Sequence, residues 1–233
     1  MAAWGHGQVF RDSHLTIDDS NVKCPPESTK FDLLAGHRGM GFCKDIRESR
    51  RGLFTFTALR EPVERALSLF DAENTFQDKF FTRVFGNKPL KDWLKEFNRT
   101  TKIEEGEAFL RFMGSQQARF LCGYECFLPK NKSMNDENFL LSKAKQNLRK
   151  LDAIALSEKL ADLIPQLKLH LRWLPVGFKT WPHANTRQRE PTELDAESKA
   201  ILASYSRTDN KLYKLASQLV QKKTKEAKDC INK

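Results

Sequence analysis

The sequence predicts an α/β fold, a parallel sheet flanked by helices, on three observations. A strand-length aromatic and β-branched run passes directly into a helix start within residues 53–70, a helix, an apolar run and a second helix follow one another over 139–171, and a further apolar run ending in glycine stands at 31–36. Strands that alternate with helical patterns point to parallel pairing through crossovers, which are right-handed as a rule.

In the first of these stretches Phe54, Phe56 and Ala58 alternate with Thr55, Thr57 and Leu59, so both faces carry apolar residues, as expected of a strand buried between layers. Pro62 stands where a first helical turn tolerates a missing N–H, and Glu61 and Glu64 place negative charge at the positive end of the helix dipole. Val63, Ala66, Leu67 and Phe70 then recur at helical spacing and define the buried stripe. Arg60 is thereby placed at the carboxyl end of a strand and the mouth of a helix, where open α/β sheets bind ligands and helix ends collect anions. Arg65 and Ser68 follow on the same helix, three residues apart. They are read either as a fork and hydroxyl for one phosphate, or as an Arg65–Glu61 pair beside a solvated serine.

Composition bounds the rest. The chain has 233 residues, 39% hydrophobic, with 17 Phe, enough for one sizeable core and most simply one domain. A formal net charge of +10 suggests an acidic partner. Part of that charge is Lys222, Lys223, Lys225, Lys228 and Lys233, expected to be a fraying, solvated helix end. No helix-turn-helix, zinc or RNA-binding signature accompanies the charge, so nucleic acid is not the expected partner. The five cysteines, Cys24, Cys43, Cys122, Cys126 and Cys230, are too few for a disulfide scaffold, and Cys122 and Cys126 lack a matching His pair, so no metal is expected. One or two disulfides would suit an oxidising compartment. Asn98-Arg-Thr and Asn131-Lys-Ser are glycosylation sequons that would suit the same lumen. No apolar run approaches the roughly 20 residues that cross a bilayer, and the N-terminus has no signal-peptide core.

Residues 1–30 read as irregular, with one short strand at 8–10. The run at 31–35 ends in Gly36-His37-Arg38, putting His37 at a strand end with backbone room for a substrate. An imidazole of pKa near ~6.5 is suited to accept a hydroxyl proton, and the alternative is a histidine that caps a turn. Helical spacing continues over 73–101 with Phe76, Phe80, Phe81, Val84 and Phe85, and a short helix at 89–97 carries Trp93, Leu94 and Phe97 on one face, read as core rather than a sugar platform. Arg111 and Arg119 lie in the segment 108–127, where they either approach an acidic acceptor or pair with Glu104, Glu105 or Glu107. A helix over 139–150, a strand over 151–156, Ser157 as N-cap and a helix to about residue 171 come next, with Pro165 expected to kink or split the last. The loop 181–191 holds Asn185, Thr186 and Arg187, and helices at 195–205 and 209–219 close the chain, Asp209 capping while Leu212 and Tyr213 pack.

Thr57-x-Leu-Arg-Glu-Pro-Val-Glu-Arg-x-x-Ser-x-Phe70 resembles the 3′-phosphate-binding segment of Golgi carbohydrate sulfotransferases of the heparan sulfate and uronyl 2-O type. The segment Gln117 to Gly123, the strand at 151–156, the Asn185-Thr186-Arg187 loop and Asp209-Asn-Lys-Leu-Tyr213 are similar to later family segments in the same order. The resemblance implies a P-loop NTPase-like sulfotransferase domain over 31–220, between an irregular segment 1–30 and a basic tail 221–233. It implies that Arg60 and Ser68, with Asn185, Thr186 and Arg187, hold the co-substrate 3′-phosphoadenosine 5′-phosphosulfate, and that His37 is the catalytic base. It further implies an acidic glycan acceptor and a Golgi location, with membrane attachment only through an anchor not present in this chain. The Gly-rich Lys-Ser/Thr loop that binds the 5′-phosphosulfate in that family does not precede residue 31, so the fold is expected to be N-terminally incomplete. The alternative is an inactive nucleotide- or sulfated-glycan-binding protein derived from the same fold.

Overall fold

A computed structural model describes residues 9–12, 33–36, 54–76, 88–99, 114–123, 126, 136–171 and 193–231. Its elements are mostly helical, with two small parallel two-stranded sheets, an arrangement compatible with an α/β class. They fall into two compact units, residues 1–54 with 118–148 and residues 55–117 with 149–233.

In the first unit, strands β1 (Val9–Asp12) and β2 (Leu33–Gly36) pair in parallel, Val9 opposite Leu33 and Asp12 opposite Gly36. Both lie within two residues of the runs expected from sequence. The C-terminal part of a short helix belonging to both units (Gln116–Cys122) ends here. Gly123 takes φ 120°, a left-handed conformation that favours glycine, as its N–H closes on the Arg119 carbonyl at 3.1 Å. Arg119 is buried and donates to the Cys126 carbonyl at 3.1 Å, so it turns inward rather than toward an acceptor. Cys122 and Cys126 form a disulfide, whereas Cys230 on the second unit is an exposed free thiol. The helix Glu137–Lys150 starts under Asp136, whose Oδ1 accepts from the N–H groups of Asn138 and Phe139 at 2.9 and 3.1 Å. Leu140, Ala144 and Leu148 recur every four residues and form its buried stripe. Asn147 on that helix donates to the carbonyls of Leu121 and Cys122, satisfying the end of the shorter helix.

The second unit is built on β3 (Phe56–Leu59) and β4 (Ala153–Leu156), paired in parallel with Phe56 opposite Ala153 and Leu59 opposite Leu156. All four residues of β4 are buried, as a strand covered on both faces requires. β3 departs from expectation: only Leu59 is buried, and Phe56 is 45% exposed. The reason is positional. The helices Leu163–His170 and Arg207–Ile231 pack on β4, while β3 contacts β4 and the 3₁₀ segment beyond it.

The helices of the whole chain are numbered in order: α1 (Pro62–Phe76), α2 (Leu90–Arg99), α3 (Gln116–Cys122), α4 (Glu137–Lys150), α5 (Leu163–His170), α6 (Ala196–Tyr205) and α7 (Arg207–Ile231). Ala66, Leu67 and Phe70 of α1 meet Leu90, Trp93, Leu94 and Phe97 of α2 and Leu194, Ile201 and Leu202 around α6. Trp93 and Phe97 stack with centroids 4.9 Å apart. Both are nearly fully buried, so this stripe is core and offers no sugar platform. At about 1.5–3 kcal/mol for each large side chain removed from water, this cluster is a main source of the unit's stability.

Three local expectations are corrected. Ser157 does not cap a helix: β4 runs straight into a 3₁₀ segment (Ser157–Asp162) preceded by Leu156, with no side-chain cap. The break expected at Pro165 falls earlier, at Lys159 (φ −135°, ψ 44°), and Pro165 sits in the first turn of α5 where its missing N–H costs nothing. Helix α7 also runs through residues 221–231 with Thr224 and Ala227 buried, so this stretch is packed along one side. Lys222, Lys225 and Lys228 take the outer side. Lys223 instead reaches the Asp152 carbonyl at 3.3 Å.

Candidate functional site

Arg60 is the residue immediately after β3 and two before α1. Its guanidinium reaches Glu64 at 3.4 Å, an exposed i, i+4 pair. Glu61 occupies the N-cap position, where its Oε2 accepts from the Glu64 N–H at 2.8 Å, so its carboxylate serves the helix end and not Arg65. Ser68 stands one turn beyond Glu64, so Glu64 and Ser68 share a helix face.

Arg65 is a second guanidinium near the first. Burial pushes its pKa down, the negative charge of Asp209 opposes that shift, and the charge of Arg60 adds to it. Each of the two cations has an acidic neighbour, Glu64 beside Arg60 and Asp209 acting on Arg65.

The backbone at Arg60 is held from outside the motif. Gln117 Oε1 accepts from the Arg60 N–H at 2.8 Å, and Gln117 Nε2 donates to the Arg60 carbonyl at 2.9 Å. Gln117 is fixed in turn by its own N–H, which donates to Oδ2 of Asp209 at 3.0 Å. Asp209 is 1% exposed and lies in the first turn of α7. It therefore ties α7 to α3, which corrects its expected role as a cap. Gly114 makes this approach feasible, because a Cβ there would strike the Tyr205 carbonyl and lie 2.9 Å from Ser206 N.

Of the residues singled out from sequence, Arg60 stands at the end of β3 and Ser68 stands on α1. His37, Asn185, Thr186 and Arg187 lie outside the described residues, as do Arg111 and Phe80, Phe81, Val84 and Phe85. Gln117 and Asp209 are the polar residues whose part at this site the sequence did not reveal. Both stand in stretches the sequence singles out, Gln117 to Gly123 and Asp209 to Tyr213, where Asp209 is expected to cap and Gln117 carries no role of its own. Among the described residues no group of three His, Cys, Asp or Glu is arranged to hold a metal ion, and no helix is long and apolar enough to cross a membrane. Comparison of the chain with protein-family models, curated proteins and solved structures finds no match.

Proposed function

We propose that this chain is a carbohydrate O-sulfotransferase of P-loop NTPase-like fold, in which Arg60 and Ser68 anchor the 3′-phosphate of 3′-phosphoadenosine 5′-phosphosulfate. The observation that carries the reading is Arg60 itself: a guanidinium at the carboxyl end of a parallel strand, clamped at its backbone, with Arg65 as a second charge acting on it. An exposed Glu64 partner is easily exchanged for a phosphate, since such surface pairs contribute little. The Cys122–Cys126 disulfide supports the reading by suiting a secretory lumen such as that of the Golgi, and the net charge of +10 by suiting an acidic glycan acceptor.

In the reaction a sugar hydroxyl oxygen attacks sulfur and gives up its proton to His37, an O–S bond forms, and the bond from sulfur to the 5′-phosphate oxygen breaks. The electron pair leaves on adenosine 3′,5′-bisphosphate. Asn185, Thr186 and Arg187 close the 3′-phosphate side.

The test is thermal unfolding of the chain with adenosine 3′,5′-bisphosphate against 5′-AMP, followed by transfer of labelled sulfate to a glycan. At ~100 times its dissociation constant a specific ligand stabilises the fold by about 2.7 kcal/mol. A shift with the bisphosphate alone that vanishes in Arg60→Ala supports the site, and equal responses to the two nucleotides overturn it. Binding without transfer identifies a nucleotide-binding relative that has lost catalysis.

A further inference from the structure

We infer that Gln117, held by Asp209, is the positioning residue of the Arg60 anchor and confers its preference for a 3′-phosphate; this rests on the reading of Arg60 as a phosphate ligand. Thr55 faces β4, since its carbonyl accepts from the Ala153 N–H at 3.2 Å and its own N–H donates to Asp152 Oδ2 at 2.7 Å. Alternate residues of a strand turn their N–H and C=O to opposite edges. Counting from Thr55, the polar pair of Arg60 faces away from β4, and Gln117 supplies both of its partners there.

A primary amide has an acceptor and donors in one plane, which matches the N–H and C=O of a single residue. Bonding both fixes the peptide planes on either side of the Arg60 Cα, and with them the direction in which its side chain leaves the backbone. Arg60 sits where β3 gives way to α1, so no ladder or helical bond would otherwise set that direction. The clamp is anchored through a buried carboxylate that also acts on Arg65. Asp209 thus governs both guanidiniums, one through Gln117 and one by its field. An arginine serves a phosphate well only when its fork is pre-aimed, because ordering a long, flexible side chain on binding costs conformational entropy.

The experiment is calorimetric titration with adenosine 3′,5′-bisphosphate and 5′-AMP of the full chain, of Gln117→Ala, of Arg60→Ala and of the double variant. Gln117→Ala is expected to bind the bisphosphate at least about tenfold more weakly, with 5′-AMP binding unchanged within about twofold and no further loss in the Arg60→Ala background. Equal loss for both nucleotides, an additive loss in the double variant, or unchanged binding overturns the inference. Wild type that does not favour the bisphosphate defeats the reading beneath it and the inference with it. Gln117→Glu, which keeps the acceptor for the Arg60 N–H and loses the donor to its carbonyl, gives a partial loss if the clamp positions Arg60. Should neither variant fold, amide hydrogen exchange on the wild type decides: the bisphosphate, and not 5′-AMP, slows exchange at the Arg60 and Gln117 amides, and equal exchange overturns the proposal.

Discussion

Gln166 closes the outer edge of β4 by taking both backbone polar groups of Ile154: its Oε1 accepts from the Ile154 N–H at 3.0 Å and its Nε2 donates to the Ile154 carbonyl at 2.9 Å. Because Ala153 bonds toward β3, Ile154 faces the other way, and the amide stands where another strand's backbone would stand. The same Nε2 reaches the Asp162 carbonyl at 3.0 Å and the Thr224 hydroxyl at 3.2 Å, so one buried side chain joins strand, 3₁₀ segment and α7. Gln117 does the equivalent at Arg60, and each outer edge of the β3–β4 pair carries one glutamine.

Replacing Gln166 by alanine leaves an N–H and a carbonyl buried without partners, at about 1–3 kcal/mol each, so a total loss of about 2–6 kcal/mol is expected. A urea midpoint lowered accordingly checks it. Gln166→Met restores volume without the bonds and is expected to recover less than half of the loss. Full recovery by methionine would show that Gln166 acts through packing alone.

Glu64 competes with an incoming anion for Arg60. Exposed pairs of this kind are worth about 0.2–1 kcal/mol, so Glu64→Gln is expected to tighten adenosine 3′,5′-bisphosphate binding by about 1.4-fold to fivefold. The gain shrinks as salt is raised, since the pair is open to solvent. Calorimetry at low and high salt measures it, and weaker binding in Glu64→Gln would mean that the carboxylate supports the site.

How much of this was legible depends on the range of each interaction. Asp195 before α6, Pro62 opening α1 and the stripe Val63, Ala66, Leu67, Phe70 are local patterns, and the structure places them as the periodicity predicts. Arg60 was legible because a strand end and a helix start are adjacent in the chain. Its clamp was not, since Arg60 and Gln117 are 57 residues apart and Gln117 and Asp209 are 92 apart. Spacing rules carry no information about such pairs. An aspartate in a first helical turn reads as a cap whether it bonds its own helix or another segment. The exposure of Phe56 escaped for a similar reason: alternation of apolar residues reports a strand, while burial depends on which strand the helices cover.

Asp209 is expected to be among the more sensitive positions of the second unit. Asp209→Ala removes the acceptor of the Gln117 N–H and the charge that offsets the burial of Arg65, and is expected to cost about 2–3 kcal/mol. The figure lies below that of a fully buried broken ion pair because Arg65 retains contact with water. Asp209→Asn retains an oxygen for the N–H and loses only the charge, so the difference between the two variants in chemical denaturation separates the hydrogen bond from the electrostatic part. Equal stability of Asp209→Asn and wild type would show that the charge contributes nothing.

Acid sensitivity is expected at the start of α6. Asp195 accepts from the Ser198 N–H at 2.9 Å and pairs with Lys95 on α2. The Lys95 contact first, and the Ser198 N–H second, lower its pKa to about 2. The unfolded chain, with a carboxyl near ~3.9, therefore takes up a proton before the folded chain does, and stability falls where the unfolded state binds more protons. The contribution of Asp195 is thus fully present above pH ~4 and is lost as pH falls from there through about 2. In melting curves recorded across this window, Asp195→Asn, which keeps an oxygen for the cap and does not titrate, is expected to be less stable than wild type near neutrality and to lose that difference toward pH ~2. Carboxyl carbon shifts followed by NMR give the titration directly. Lys95→Met is expected to move the Asp195 midpoint upward while leaving the cap bond in place, and an unmoved midpoint would transfer the cause from Lys95 to the helix end.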